Sequence, residues 1–262
     1  MLRIRLFFTI SIFLCALYSS SAQDLETLAV AYERIIYDGA DLVSTNEALL
    51  AKADCYRRLG RYGEASGTLA RVRLFALTPE ERTSVLYQQE LCYFLDGDFI
   101  QAAALVDEVG DGSADALLLH ALVLAYGGEY DKSELFAARY ISYDGPSPRL
   151  QALLDLYATH PRKRDAASSM VLSFFPPLGH FYNGEVSEGL LSGGLNLAAL
   201  AFTVANCVGG YWVTGLLGGG IALNYTLMGN HERTAALVEK HNNNDPILFG
   251  DRVRAFLLGP AE

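Results

Sequence analysis

The chain has few cysteines and histidines, with four and five among 262 residues. Three of its four cysteines, Cys55, Cys92 and Cys207, lie beyond the N-terminal apolar run, and their spacing indicates neither a metal site nor a disulfide framework. The sequence contains no Gly-x-Ser-x-Gly, no phosphate-binding loop and no His-Glu-x-x-His. We therefore expect no enzymatic activity, no metal and no cofactor, and we expect these cysteines to be buried as small apolar residues.

Charge is absent from one long stretch of the chain and mainly negative in another. No Asp, Glu, Lys or Arg occurs between Gly189 and Asn230. Residues 23–160 contain 22 acidic and 11 basic side chains, whereas residues 161–262 contain 8 and 7. Because an acidic surface repels nucleic acid and anionic lipid, we expect no nucleic-acid partner.

The N-terminal residues have the three regions of a secretory signal. Arg3 and Arg5 precede an apolar run from Leu6 to Tyr18, and small residues follow this run. The run is shorter than the roughly 20 residues that span a bilayer as a helix. We expect a signal peptide at residues 1–22, cleaved after Ala22, and a mature protein exported to the cell envelope. An uncleaved N-terminal anchor is the alternative.

Three segments in the first half of the chain share one pattern of spacing. Each has a large apolar residue, a small residue, an aromatic or aliphatic residue, a glycine, an aromatic residue and a second small residue at the same intervals. The positions are Leu49, Ala53, Tyr56, Gly60, Tyr62 and Ala65; then Leu86, Glu90, Tyr93, Gly97, Phe99 and Ala102; then Leu117, Ala121, Leu124, Gly128, Tyr130 and Ser133. The apolar positions lie on one helix face, and each glycine falls where a helix ends in a left-handed residue. Glu90 departs from the pattern, since a small residue is expected there.

This pattern resembles the tetratricopeptide repeat, in which each unit is a pair of helices. The resemblance implies an all-α fold, with an α-solenoid of about three helix pairs within residues 23–160. Further helices are predicted at residues 24–37 and 147–159, where they would cover the ends of the array. Such arrays hold a peptide or a partner helix on a concave face, so a protein partner is expected there. The polar side chains predicted to face this partner are Lys52, Gln88, Gln89 and His120.

The uncharged stretch contains two candidate membrane spans, Leu190–Val208 and Trp212–Met228, with a turn at residues 209–211. Each span is near the length that crosses a bilayer. Gly215 and Gly219 are spaced as in helices that pack closely in lipid, and they are predicted to face small residues of the first span, namely Ser192, Gly193 and Gly194. Three polar residues are predicted to hydrogen-bond across the pair: Asn196, Asn206 and Asn224. The alternative is a helix pair buried in a soluble domain.

A group of residues before the first span forms a turn motif: Pro177, Gly179, His180, Phe181, Tyr182, Gly184 and Gly189. This motif resembles the turn of two-transmembrane-type domains and of related C-terminal domains in exported bacterial proteins. The resemblance implies a membrane-associated helical hairpin domain at residues 161–242. Because no second metal ligand has a useful spacing, His180 is predicted to be a turn residue at the membrane surface. A helix from His231 is predicted to break at residues 242–246, which leaves a C-terminal tail at residues 243–262.

These features lead to three hypotheses about function. The first is a non-enzymatic scaffold of the cell envelope, with periplasmic repeats tethered to membrane lipid by the hairpin. The second is a membrane protein that forms homo-oligomers through the hairpin, regulated by the repeats. The third is a soluble periplasmic binding module whose apolar tail folds back on the array. The orientation of the hairpin, and whether residues 166–178 enter the membrane, stay open.

Overall fold

The computed structural model describes residues 22–39 and 41–259, and no strand occurs in that part of the chain. The predicted all-α class is therefore confirmed. Residues 1–21 of the predicted signal peptide lie outside the described residues, so export stays a prediction.

The helices divide between two compact units. The first unit contains the residues up to Ala158 together with those from Val253 onward, and the second contains Thr159–Arg252. Helices of the first half are α1 (22–38), α2 (Leu42–Arg58), α3 (Tyr62–Leu69), α4 (Pro79–Asp96), α5 (Phe99–Val109), α6 (Ala114–Gly127), α7 (Tyr130–Ile141) and α8 (Leu150–Tyr157). They are followed by α9 (Ala166–Ser173), α10 (Leu178–Tyr182), α11 (Val186–Val208), a π-helical turn (Thr214–Gly219) and α12 (Gly220–Leu258).

Side-chain caps fix where several of these helices begin. The Asp41 carboxylate accepts a hydrogen bond from the backbone N–H of Ser44 at 2.8 Å, one turn into α2. At the start of α4, Thr78 and Glu81 form a reciprocal capping box, and Pro79 occupies the first helical position. Such caps satisfy N–H groups that have no partner within the helix, so α2 and α4 begin at defined residues.

The repeat glycines end the first helix of each pair. Gly60, Gly97 and Gly128 have φ angles of +72°, +84° and +80°, the left-handed region that glycine adopts without strain. In each turn the N–H that follows the glycine donates to the carbonyl five residues earlier, at 2.9 Å: Arg61 to Tyr56, Asp98 to Tyr93, and Glu129 to Leu124. These are the turn positions that the spacing predicts, and they place α2 with α3, α4 with α5, and α6 with α7.

Small residues let these helices approach one another. Ala65, Ala102 and Ser133, the second small position of each segment, are 0% exposed. The Ser133 hydroxyl donates to the Ala121 carbonyl at 2.6 Å and lies 2.6 Å from the Tyr157 hydroxyl of α8. Burial raises the pKa of Tyr157 to about 12. Each helix from α2 to α8 contacts the next one in the chain, whereas the tetratricopeptide identity of the array stays a prediction.

The predicted break at residues 242–246 does not occur, because α12 runs through Pro246 to Leu258. A proline inside a helix costs about 3 kcal/mol, since it removes one backbone hydrogen bond and crowds the preceding turn. Buried apolar side chains on both sides of Pro246 offset this cost: Leu237, Val238, Phe249 and Val253. The Asn242 side chain also bonds both the N–H and the carbonyl of Arg164, at 2.9 Å each. Residues 243–258 are therefore helix rather than tail.

Gly127 and Gly128 provide a matched test of the repeat turn. A methyl group added at either residue would meet no described atom within 4 Å, but only Gly128 has a left-handed backbone. We expect Gly128→Ala to destabilise the full chain by about 1–2 kcal/mol. Gly127→Ala, inside α6, should stabilise it by about 0.5–1 kcal/mol. Thermal unfolding in detergent, followed by circular dichroism, measures both variants, and equal shifts would contradict the turn geometry.

Candidate functional site

The unit Thr159–Arg252 buries an unusual number of polar side chains. They are Ser169, Ser173, His180, Asn183, Asn196, Asn230 and Thr234. Ser169 and Ser173 are the buried residues of α9, whereas its apolar Met170 and Val171 are exposed. A helix that packs in a water-soluble domain normally shows the opposite distribution. The polarity of this unit is therefore the reverse of that of a water-soluble domain.

The exposed surface of the same unit is apolar over its two longest segments. α11 has 23 residues; its most apolar 18-residue segment has a mean hydropathy of 1.5, and only 6% of that segment is buried. Its exposed large side chains are Val186, Leu190, Leu191, Leu195, Leu197, Leu200, Phe202, Val204 and Val208. The next segment exposes Trp212, Val213, Leu216, Leu217, Ile221, Tyr225 and Met228. Among the described helices, α11 is the one long and apolar enough to cross a membrane; the second predicted span belongs to the π-helical turn and α12.

Two glycines allow the segment after the turn to pack closely against α11. A Cβ atom on Gly215 would lie 2.6 Å from Cys207 Sγ, and one on Gly219 would lie 2.9 Å from Thr203 Cα. Both distances are too short for a side chain, so only glycine fits without displacement of α11. The contact partners differ from those predicted, because Thr203 and Cys207 take the place of residues 192–194. Cys207 is partly buried, and Cys55 and Cys92 are buried, with all three thiols free.

Hydrogen bonds also join α11 and α12 away from the turn, towards the charged residues that flank the uncharged stretch. Thr226 Oγ1 donates to Asn196 Oδ1 at 2.8 Å, and Ser192 Oγ donates to Asn230 Oδ1 at 2.9 Å. The cross-helix role predicted for Asn196 is thus present. Asn206 instead bonds the carbonyl of Phe202 in its own helix, and Asn224 is exposed. Sequence reasoning missed Asn230, although it lies one helical turn after Thr226, as Asn196 lies one turn after Ser192.

The motif from Pro177 to Gly189 folds α9, α10 and α11 together. Pro176–Pro177 is a cis peptide bond, and Gly184 has φ +79° at the turn into α11. A Cβ atom on Gly179 would lie 2.9 Å from Ser173 Cα, and one on Gly189 would lie 2.7 Å from the ring of Phe181. Phe181 and Tyr182 are partly exposed, and the Tyr182 hydroxyl accepts from the Asp165 N–H at 3.1 Å. The motif glycines therefore serve close packing as well as a turn.

His180 is buried in a helix, which corrects the prediction of a turn residue; its position at the membrane surface stays a prediction. It lies inside α10 and is 2% exposed, because Gly189 of α11 packs against its Cβ. Its Nδ1 has no hydrogen-bond partner among the described residues, and the same holds for Asn183 Oδ1 and Thr234 Oγ1. A buried polar atom without a partner costs about 1–3 kcal/mol. The interior of this unit therefore has unused hydrogen-bonding capacity.

A groove of about 500 Å³ lies between α11 and α12. Its polar lining includes Ser192, Asn196 and Asn230, and its apolar lining includes Leu191, Leu195 and Tyr225. His180 also lines the groove. An ion pair lies at the end where the uncharged stretch stops, with Arg233 Nε and Nη2 each 2.8 Å from the Glu188 carboxylate. The groove thus combines one charged end, polar groups and apolar walls.

The exposure predicted for most partner-facing residues is wrong. Lys52 is buried because its Nζ lies 2.7 Å from the Glu33 carboxylate of α1. The same contact, with a further one from Arg71, lowers the pKa of Glu33. Gln89 is buried, whereas Gln88 is half-buried and donates to Ser84 Oγ at 3.3 Å. Only Gln88 keeps part of the accessibility that partner binding requires.

His120 forms a buried pair with Glu90. Both side chains are 0% exposed, His120 Nε2 lies 3.1 Å from Glu90 Oε2, and the Phe136 ring packs edge-on against the imidazole. α6 is buried around most of its circumference, which explains why His120 cannot face a partner. The sequence carries a signal for this pair, because Glu90 stands at a position meant for a small residue and His120 is one residue before the equivalent position of the next segment.

Metal binding finds no support in the described residues. Within residues 22–39 and 41–259, no group of three or more His, Cys, Asp or Glu side chains could hold an ion. Glu90 and His120 supply two potential ligands, which is fewer than a structural or catalytic metal site uses.

Gly219 and Gly220 test the close contact between the helices. We expect Gly219→Ala to destabilise the full chain by about 1–3 kcal/mol, because its methyl group would overlap the backbone of Thr203. Gly220→Ala is the control, since its methyl group would meet no described atom within 4 Å. Thermal unfolding in detergent compares the two variants. A Gly219→Ala protein as stable as the control would show that α11 and the π-helical turn do not approach as described.

The buried carboxyl of Glu90 predicts a pH-dependent stability. Burial raises its pKa, although the hydrogen bond and the charge of His120 act in the opposite direction. A raised pKa stabilises the fold below the unfolded pKa of about 4.3, and this contribution is lost as the pH rises through the folded pKa. Glu90→Gln has no carboxyl to ionise, so its stability relative to the natural protein should increase from pH 4 to pH 7. Urea unfolding at both pH values measures this difference.

The control for this experiment is Glu108→Gln, at an exposed position of α5. It should leave the pH dependence of unfolding unchanged. A Glu90→Gln profile parallel to that of the natural protein would mean that Glu90 does not change its protonation between the folded and unfolded states in this range.

Comparison with known proteins does not place the chain in a family. No protein-family model matches it, and neither curated proteins nor solved structures give a significant match. Function is therefore inferred from the geometry of the described residues.

Proposed function

We propose that this protein is a membrane-anchored, non-enzymatic scaffold of the cell envelope. In this proposal, α11 and the first part of α12 lie in the bilayer, and the first compact unit, which contains α2–α8 and is called the repeat unit below, binds a protein partner. The observation that carries the proposal is the reversed polarity of Thr159–Arg252, where polar side chains are buried and large apolar side chains are exposed.

The dimensions of α11 support a membrane location. At 1.5 Å per residue, 23 residues extend about 35 Å, slightly more than the roughly 30 Å of a hydrocarbon core. In water the same surface would leave a contiguous apolar patch larger than monomeric proteins usually expose. Lipid acyl chains would cover this apolar patch without a second protein surface.

Charged and aromatic residues occur where the ends of such a span would lie. Glu188 and Arg233 form an ion pair at one end of the helix pair, and Tyr211 and Trp212 are exposed at its other end, beside the turn. Ionised side chains avoid the hydrocarbon, whereas Tyr and Trp favour the membrane–water interface. The distance between these two ends is consistent with the thickness of one bilayer.

The glycine contacts favour a tether over an oligomerisation device. Oligomers through the helix pair would use small residues on a free face, yet Gly215 and Gly219 are already packed against Thr203 and Cys207 of the same chain. These two glycines therefore pack within one chain and are not free to pack against a second copy.

The repeat unit supplies the proposed binding surface. Its three glycine-ended helix pairs are arranged in sequence, as in arrays that hold peptides. Its excess of acidic side chains, 22 against 11 basic ones in residues 23–160, favours a partner with a basic segment. Export to the envelope, and a periplasmic location of the repeats, belong to the same proposal.

Leu197→Arg tests the membrane half of the proposal. Leu197 is 67% exposed near the middle of α11, where an arginine should cost about 2.5–3.5 kcal/mol of insertion free energy. We expect the fraction of the full chain that resists carbonate extraction to fall sharply. Leu135→Arg is the control, because Leu135 is 57% exposed on α7 and lies in the repeat unit. Equal extraction of both variants, or extraction of the natural protein, would contradict the anchor.

The same membrane fractions test the partner. A photoreactive residue at Gln88 should cross-link the full chain to a second protein. The same residue at Gln151, exposed on α8, should give much less of that product. A membrane-bound chain without a Gln88 adduct would remove the scaffold role and leave the anchor.

A further inference from the structure

We propose that the groove between α11 and α12 binds one phospholipid with a primary ammonium headgroup, of the phosphatidylethanolamine class. This inference rests on the proposed function, because it requires the helix pair to lie in a bilayer. The acyl chain would lie along Leu191, Leu195 and Tyr225, and the headgroup at Glu188, Arg233 and His180.

The groove is a preformed site, and one buried polar atom of its lining residues lacks a partner in the described part of the chain. Its volume is about 500 Å³, within the range of small-molecule sites. His180 lines it and is 2% exposed, and the Nδ1 of His180 has no hydrogen-bond partner among the described residues. Ser192, Asn196 and Asn230 already form hydrogen bonds between α11 and α12. Among the residues that line the groove, the unmet hydrogen-bonding capacity is therefore one buried atom, His180 Nδ1.

The ion pair at that end carries both signs of charge that the headgroup needs. Arg233 uses Nε and Nη2 for Glu188, so Nη1 takes no part in the pair. A phosphate oxygen accepts hydrogen bonds from a guanidinium or an imidazole N–H. The Glu188 carboxylate has further lone pairs, which can accept from a primary ammonium while the ion pair stays closed. A quaternary ammonium has no N–H to donate, and a glycerol headgroup has no positive charge.

The order of groups along the groove fits an amphiphile rather than a soluble anion. Glu188 and Arg233 lie where the uncharged stretch ends, and Leu195 and Tyr225 lie further into it. In a bilayer the first pair would be at the headgroup level and the second among acyl chains. A lipid in the groove would therefore keep its normal depth.

Photocross-linking of the full chain in vesicles tests this site. The vesicles consist of phosphatidylcholine with a trace of one diazirine-bearing lipid, either phosphatidylethanolamine, phosphatidylglycerol or phosphatidylcholine. We expect phosphatidylethanolamine adducts at residues 188–196 and 225–233, about tenfold above the other two lipids, as the loss of one charge-assisted hydrogen bond implies. Leu195→Trp should remove these adducts by filling the groove. Leu200→Trp, at a similarly exposed position of α11 outside the groove, should retain them.

Arg233→Gln provides a second variant that does not alter the apolar walls. It should lower phosphatidylethanolamine labelling by about tenfold and leave the chain in the vesicles, because it removes the charged donor to phosphate.

The possible outcomes separate this inference from the anchor. Labelling that is spread along α11, equal for the three lipids and unchanged by Leu195→Trp, would overturn the site and keep the anchor. Preferential labelling by phosphatidylglycerol would overturn the ammonium assignment. Cross-links from the groove to a second copy of the chain would show a protein occupant and overturn the lipid. A chain that does not associate with vesicles would overturn the anchor and the site together.

Discussion

The contact of Gly215 and Gly219 with α11 sets the register of the whole helix pair. Because these two glycines lie against Cys207 and Thr203, the residues on either side are fixed in position along both helices. Moving away from the turn, this register brings Asn196 opposite Thr226, Ser192 opposite Asn230, and Glu188 opposite Arg233. A displacement by one residue would turn the polar groups towards the exposed apolar face, where hydrogen bonds to water would be needed. Close packing thus determines which polar groups are satisfied, and it also creates the groove.

One kind of turn serves two units whose interiors have opposite polarity. In the repeat unit, Gly97 and Gly128 end helices that pack through leucine and alanine; in the second unit, Gly184 and Gly210 do the same beside polar interiors. At Gly184 the following N–H, of Glu185, donates to the His180 carbonyl at 3.0 Å, which is the hydrogen bond of the repeat turns. Such a turn depends on backbone conformation alone, so it is independent of what the helices bury. The difference in interior polarity between the units therefore comes from the side chains on the helix faces.

The sequence predicts features that depend on local geometry and fails where distant residues compensate one another. The glycine turns and the apolar α11 follow from spacing and composition, because each is decided within one or two helical turns. Pro246 was expected to end a helix, but buried residues on both sides and the side chain of Asn242 hold α12 together. His120 is predicted on a binding face, but its ring lies in the core, where it pairs with Glu90, thirty residues earlier. Periodicity identifies which faces are apolar, and it does not show which polar residues find one another.

Buried polar atoms without partners occur in both units, but their surroundings differ, because the second unit has reversed polarity. In a water-soluble domain, ordered water fills such positions at little cost, and each of His180 Nδ1, Asn183 Oδ1 and Thr234 Oγ1 would count as an ordinary hydration site. Within a bilayer, bulk water does not reach the helix faces, so hydrogen bonds must come from the protein, from trapped water or from lipid headgroups. His180 is the one of these three that lines the groove, next to the charged pair. In the proposed bilayer location, a headgroup is the part of the surrounding solvent that would supply its missing acceptor or donor, so the same bilayer would cover the apolar surface and provide the ligand of the groove.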